Sequence, residues 1–202
     1  MAVKIQSANA AIVLTIAEVG SDVVASYNGS LNMDEMDFGS SDKAATADIR
    51  PSRPQFRAFN GENLLEDELF PYFPGFSPSP WKNEVPPPAI GDGELLAATS
   101  SSITNGNSFG FSGGPTGFTP EQRVFVASTY KSGTDLQGSL TFTDTNLETM
   151  GIDRGTYTAT FRSGDTLTIN AVPEPSSYGF LLGAVGLATA IFCRRRRRPS
   201  AA

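Results

Sequence analysis

Thr156-Tyr157-Thr158-Ala159-Thr160-Phe161-Arg162, then Ser163-Gly164-Asp165, then Thr166-Leu167-Thr168-Ile169-Asn170 is the stretch that decides the fold. Side chains of a strand alternate between two faces, so Tyr157, Ala159 and Phe161 share one side and the threonines share the other. Leu167 and Ile169 repeat the pattern after the turn. Ser-Gly-Asp is turn chemistry, so 156–170 reads as a hairpin with one apolar face. A hairpin alone is not stable, and its apolar face requires further strands to cover it.

Those strands can be found upstream. Ala11–Ala17 is apolar and β-branched, Val19–Asp22 is turn-like, and Val23–Leu31 follows as a second strand. Residues 32–50 are polar and acidic and read as a loop, with Asn28-Gly29-Ser30 as a bend before it. Between Phe70 and Pro88 stand seven prolines: Pro71, Pro74, Pro78, Pro80, Pro86, Pro87 and Pro88. Central strands and helix interiors exclude proline, so about 51–93 reads as an irregular insertion, with at most a turn or two of helix over Gly61–Leu69. The β pattern returns at Leu95–Thr99, Asn107–Phe111, Arg123–Thr129 and Gly138–Thr145. The fold expected over 11–171 is all-β, an antiparallel β-sandwich or jelly roll.

The chain after this domain is of a different kind. Val172-Pro173-Glu174-Pro175 leads into Ser176–Cys193, a run without a charge, and then into Arg194, Arg195, Arg196, Arg197 and Arg198. As a helix, 176–193 would span roughly 27 Å, close to the thickness of a bilayer core. Basic residues stay on the cytoplasmic side, so the expected arrangement is a single C-terminal transmembrane helix, with the basic tail 194–202 inside and the domain outside. These parts closely resemble the PEP-CTERM sorting signal of bacterial surface proteins. The resemblance rests on Pro173-Glu174-Pro175, the apolar span and the arginine cluster in that order. It implies export, processing near the motif by a membrane transpeptidase (an exosortase), and delivery to the cell surface or an extracellular matrix rich in exopolysaccharide. Pro173, Glu174 and Pro175 are then recognition residues, and the arginines a stop-transfer cluster. Val124–Tyr157 also loosely resembles small β domains that precede such signals.

An exported domain needs a leader. Residues 1–10 have Lys4 but lack an apolar run, whereas Ala8-Asn9-Ala10 has the small-x-small form of a signal peptidase site. The expectation is that 1–10 is the end of a longer signal peptide whose start lies upstream of Met1, with Ala8 and Ala10 flanking the cut.

Composition narrows the chemistry. Net charge is −6, from 15 basic and 21 acidic residues, and five of the basic ones are Arg194–Arg198. The remainder is strongly acidic, which argues against nucleic acid as a partner. There is no histidine, so a Ser-His-Asp triad is impossible and the commonest metal ligand is missing. The single cysteine, Cys193, permits no intrachain disulfide. No Walker loop or nucleophile elbow occurs. The reading is a non-catalytic protein without cofactor or metal.

Two groups invite binding readings. Phe70, Tyr72, Phe73, Phe76 and Trp81 interleave with prolines. Tyr72, Phe76 and Trp81 are candidate sugar-stacking residues, although aromatics also pin long loops to a core. The acidic clusters Asp34, Glu35, Asp37 and Glu66, Asp67, Glu68 do not match an EF-hand loop and read as solvated loops, with calcium as the alternative. Gly179 and Gly183 form a small-xxx-small pair in the apolar span. The alternative for the whole chain is a carbohydrate- or calcium-binding β-sandwich on a plain membrane anchor.

Overall fold

A computed structural model describes residues 10–33, 38–41, 44–53, 55–67, 89–112, 123–161 and 163–173. They form thirteen strands: β1 (Ala11–Val19), β2 (Asp22–Gly29), β3 (Phe38–Ser41), β4 (Ala47–Arg50), β5 (Gln55–Ala58), β6 (Leu64–Asp67), β7 (Leu96–Ala97), β8 (Ser100–Ile103), β9 (Phe109–Ser112), β10 (Arg123–Ala127), β11 (Leu136–Phe142), β12 (Gly155–Thr160) and β13 (Thr166–Val172). One sheet has the order β12-β13-β1-β2-β11-β8, the other β3-β6-β10-β9-β5-β4-β7.

Alternation dictates which side of each strand turns inward. In β1, Ile12, Leu14 and Ile16 are fully buried, and in β13 Leu167, Ile169 and Ala171 lie beside them. Val23, Ala25 and Tyr27 continue this layer in β2, and Leu136, Leu140 and Phe142 in β11. The second sheet contributes Ile49, Phe56, Phe109, Phe111, Val124 and Val126 to the same core. The two layers meet at Tyr27, whose ring lies edge-on to Phe56 at 5.8 Å between centroids and 5.6 Å from Phe109. Gly138 is directly opposite Tyr27 in β11, and a Cβ there would come within 2.7 Å of the Tyr27 Cζ atom. Glycine at this position is what lets the ring lie flat across the sheet.

The all-β expectation holds, and the hairpin over 156–170 forms as β12 and β13, with Tyr157 opposite Ile169 and Ala159 opposite Leu167. Gly164 takes a positive φ of 90° in its turn, a conformation glycine adopts without strain. Four expectations are corrected. The first sheet is not wholly antiparallel, because β1 and β13 run parallel from Ala11–Thr166 to Ala17–Val172. Alternation fixes a strand's inward face but not the direction of its neighbour. The 32–50 region holds β3 and β4, and its acidic Asp48 is accommodated by pairing with Arg57. The stretch 51–93 carries β5 and β6. Within the Gly61–Leu69 run the described residues hold a strand, Leu64–Asp67, rather than a helical turn, since Leu64 and Leu65 pair with Ala127 and Val126 of β10; tertiary pairing overrides a weak local preference. Residues 68–88, with Tyr72, Phe76 and Trp81, lie outside the described residues. So does the apolar span 176–193. Among the described residues no helix is long and apolar enough to cross a membrane.

Two buried phenols bind the layers and loops together. Tyr27 donates its hydroxyl hydrogen to the carbonyl of Asn107 at 2.5 Å. The Tyr130 hydroxyl accepts from the Leu31 amide at 2.8 Å and faces the carbonyls of Leu31 and Thr134, each at 2.9 Å. Burial raises the pKa of both phenols above the usual 10.0, and for Tyr27 the negative charge of Glu62 adds to the rise. A folded-state pKa above the unfolded value gives stability that is complete below pH 10 and is lost as pH climbs toward the folded value. Unfolding free energies from urea titrations are therefore expected to fall as pH rises above 10, by up to about 1.4 kcal/mol per pH unit from Tyr27, with Tyr130 adding in the same direction. The double variant Tyr27→Phe/Tyr130→Phe should start lower and decline less steeply; equal slopes in the two proteins would exclude the phenols as the cause.

Candidate sorting site at the end of the β domain

The candidate site begins where β13 stops. β13 is held on both sides, by β12 and by β1, as far as Ala171, and Val172 is paired with Ala17 of β1 alone. Ala171 is buried at 2% exposure, whereas Val172 is 37% exposed and Pro173 lies exposed after it. Proline has no N–H to give to a ladder and cannot continue a central strand, so Pro173 ends β13. It also restrains Val172 to extended geometry, which continues the strand direction outward. The motif thus follows the strand with no residue between them. Glu174, Pro175 and Arg194–Arg198 lie outside the described residues.

Because β1 and β13 are parallel, the two ends of the domain are distinguished. The chain enters at Ala10 beside Thr166 and leaves at Val172 beside Ala17. Seven residues of strand separate these points, about 23 Å at ~3.3 Å per residue. Ala10, of the expected cleavage pair, and Pro173, of the sorting motif, therefore sit at opposite ends of one sheet.

At the entry end the structure reveals a residue that sequence reasoning assigned only to a turn. Asp165 is 1% exposed. One carboxylate oxygen accepts from the Ala10 amide at 2.9 Å and the other from the Asn32 amide at 2.5 Å. The Asp165 carbonyl accepts from the Phe161 amide at 2.8 Å, and the Thr166 amide donates to the Ala10 carbonyl at 3.2 Å. One side chain thus ties the β12–β13 turn to the start of β1 and to the chain leaving β2. Nothing in Ser163-Gly164-Asp165 distinguishes such a buried carboxylate from an ordinary exposed turn residue; the burial comes from the parallel partner. Ala10, the described member of the expected cleavage pair, is a bonded part of the domain edge. Ala8 lies outside the described residues.

Other polar groups are already engaged. Glu62 accepts from the Gly106 and Ser108 amides at 2.8 and 3.2 Å, at the rim of a shallow polar cleft that Asn63, Asn105, Ser128 and Thr129 also line. Asp48, 3% exposed, accepts from Arg57 Nε at 2.9 Å and Nη2 at 2.6 Å and from Gln55 Nε2 at 3.1 Å. Among the described residues no three histidine, cysteine, aspartate or glutamate side chains converge as a metal site would require. Of the acidic clusters, Asp34, Glu35, Asp37 and Glu68 lie outside the described residues, and for Glu66 and Asp67 the description stops at the backbone of β6.

Comparison with known families bears on the same junction. The family model for the PEP-CTERM protein-sorting motif matches residues 171–198. The chain carries a PEP-CTERM sorting signal. Its match starts at Ala171, a core residue of β13, so the PEP-CTERM segment is continuous with the folded domain. The motif marks a sorted, exported protein, directed to the envelope or surface, and implies exosortase-type processing in general. No curated protein and no solved structure matches the chain.

Removing the Asp165 carboxylate leaves two amides without their acceptor. Asp165→Ala is expected to cost about 3 kcal/mol in chemical denaturation, and Asp165→Asn, which keeps one acceptor oxygen, clearly less. Equal stability of Asp165→Ala and the wild type would mean that water replaces the carboxylate without loss.

Proposed function

We propose that this is an exported bacterial surface or matrix protein whose C-terminal signal is a substrate of an exosortase-type membrane transpeptidase. The observation that carries the reading is the PEP-CTERM match over 171–198, fused to the last core strand. In this reading 176–193 is a single membrane-spanning helix. Arg194–Arg198 lie on the cytoplasmic side, and the β domain projects outward until processing frees it. A charge-free run of bilayer length followed at once by five arginines supports that topology.

Pro173, Glu174 and Pro175 act as recognition residues, and none of them is catalytic. Two prolines at alternate positions hold the motif extended, and Glu174 offers a lone charge between Asp165 and Arg194. The direct passage from β13 into Pro173 would place this motif at a fixed distance from the domain edge. The domain's own role is structural or adhesive, in association with exopolysaccharide, without catalysis, cofactor or metal. The absence of histidine and the engagement of Asp48, Glu62 and Asp165 in structural bonds support a non-catalytic role.

Mass analysis of both termini of the protein recovered from its native host tests the sorting role. A C-terminus near Pro173–Ser176 is the expected result, with an N-terminus near Ala11. An intact arginine tail in the membrane fraction would reduce the segment to a plain anchor. Replacing Pro173, Glu174 and Pro175 together by alanine should leave the protein membrane-bound and unprocessed, with its fold unchanged. Normal processing of that variant would remove the recognition role from the motif.

A further inference from the structure

The parallel pairing of β1 with β13 also decides what stands beside the chain as it leaves the domain. Ala17 is level with Val172, so the last two residues of β1 carry that strand about 6.6 Å further than β13 in the direction of exit. Alternation from the buried Ile16 and Ala171 turns Ala17, Val19 and Val172 to the outer face of the sheet. Val24, opposite Ala17 in β2, joins them. These four make an apolar corner. Among the described residues the large apolar side chains left exposed are Val19 at 53%, Leu95 at 43% and Val172 at 37%. Two of the three thus belong to this corner, at the point where the chain leaves toward its sorting signal.

The inference rests on the reading of 176–193 as a membrane-spanning helix, and the length of the connection then brings the corner to the bilayer. Only Pro173, Glu174 and Pro175 separate Val172 from Ser176, the first residue of the apolar run. Four Cα steps of at most ~3.6 Å set the furthest that Val172 can stand from the span, about 14 Å. Headgroups occupy about 5–8 Å on each side of the hydrocarbon. With β13 directed at the bilayer, Val19 stands ahead of Val172, and at most about 8 Å remain between its backbone and the hydrocarbon. That is the depth of the headgroup layer, and any less extended connection takes the tip deeper. An exposed valine held there gains by leaving water, and the covalent tether keeps a contact populated that would be weak between free partners.

Charge specifies the lipid. Asp22 is paired with Val19 across the hairpin and accepts from the Asp144 amide at 3.1 Å, while Arg154 is drawn toward Glu18 at 3.8 Å. A carboxylate beside the apolar tip suits the ammonium of a zwitterionic headgroup and is repelled by a net anionic surface. We infer that the corner of Ala17, Val19, Val24 and Val172 docks the unprocessed domain on the headgroup layer of a zwitterionic bilayer, with Val19 as the leading contact. Docking holds Pro173 at the membrane surface, within reach of a membrane-embedded enzyme. The contact lasts only as long as the tether. A whole myristoyl chain gives marginal membrane binding, so a few valines cannot retain the domain once processing has cut the connection.

Spin-label accessibility on the full chain in phosphatidylcholine nanodiscs tests the inference. A nitroxide is attached at Ser21→Cys, in the β1–β2 turn, or at Lys131→Cys, exposed at the opposite end of the domain, each in a Cys193→Ser background. Collisions with a water-soluble nickel chelate and with oxygen report depth. The label at position 21 should be at least threefold less accessible to the chelate than the label at 131. Val19→Asp should return it to the aqueous value while thermal unfolding stays unchanged, and replacing half of the lipid by phosphatidylglycerol should do so in part. Equal accessibility of the two labels, in a chain that co-elutes with the discs, would overturn the inference and leave the anchor reading standing. So would a label that stays shielded in Val19→Asp, since the tether alone would then set its position. Shielding seen only with an exosortase in the same disc would give the corner to the enzyme and overturn the inference as well. A chain that does not co-elute with the discs removes the anchor reading and the inference together, which distinguishes that failure from the others.

Discussion

The parallel pairing of β1 with β13 is the constraint on which the described structure depends. It joins the first and last strands of the domain at the centre of one sheet, from Ala11–Thr166 to Ala17–Val172. A parallel ladder between chain ends closes the longest loop in the molecule and brings no local turn to help it. Its contribution must come from burial and from precise registration. Both are visible. Ile12, Leu14 and Ile16 lie beside Leu167, Ile169 and Ala171 in one apolar layer, and a one-residue slip would send all six outward. Asp165 fixes the register at one end by accepting amides from Ala10 and Asn32. At the other end Pro173 stops the strand.

The second layer relies on a different device. Its strands β4, β5, β9 and β10 are four or five residues long and bury few side chains each. The layer is held by aromatic bulk, with Phe56, Phe109 and Phe111 gathered around the Tyr27 ring that reaches across from the first sheet. Gly138 gives that ring its bed, and the Asn107 carbonyl takes its hydroxyl. The polar ends of both tyrosines therefore serve the fold in two ways. They satisfy buried carbonyls, and they fix the angle at which large rings enter the core.

What could be read from the sequence follows from the kind of information each element carries. β1, β2, β11, β12 and β13 were legible because alternation marks them without reference to partners. β8, Ser100–Ile103, was not, since a run of serines has no apolar face; it is a strand because β11 offers it a ladder. β4 was hidden by Asp48, whose partners Arg57 and Gln55 are brought to it only by the β4–β5 pairing. The sorting segment was the most legible part of the chain, because its three parts are defined by composition and order rather than by contacts. Asp165 and the corner of Val19 and Val172 were illegible for the opposite reason. Each depends on which strands lie side by side, and the parallel pair that places them is invisible to local pattern.

The same pairing determines how the domain would bear a load through its tail. A tether at Pro173 pulls along β13, parallel to β1 and antiparallel to β12, so the hydrogen bonds of two ladders lie across the direction of pull and share it. Had β13 been an edge strand, peeling could open those bonds one at a time. Its place between β12 and β1 prevents this, and the carboxylate of Asp165 holds the far end to Asn32. A domain that is to be handled by its C-terminus, whether by a membrane span or by a processing enzyme, is best served by a last strand that is clamped on both sides almost to the motif. That is the arrangement from Thr166 to Ala171, with β1 alone holding Val172.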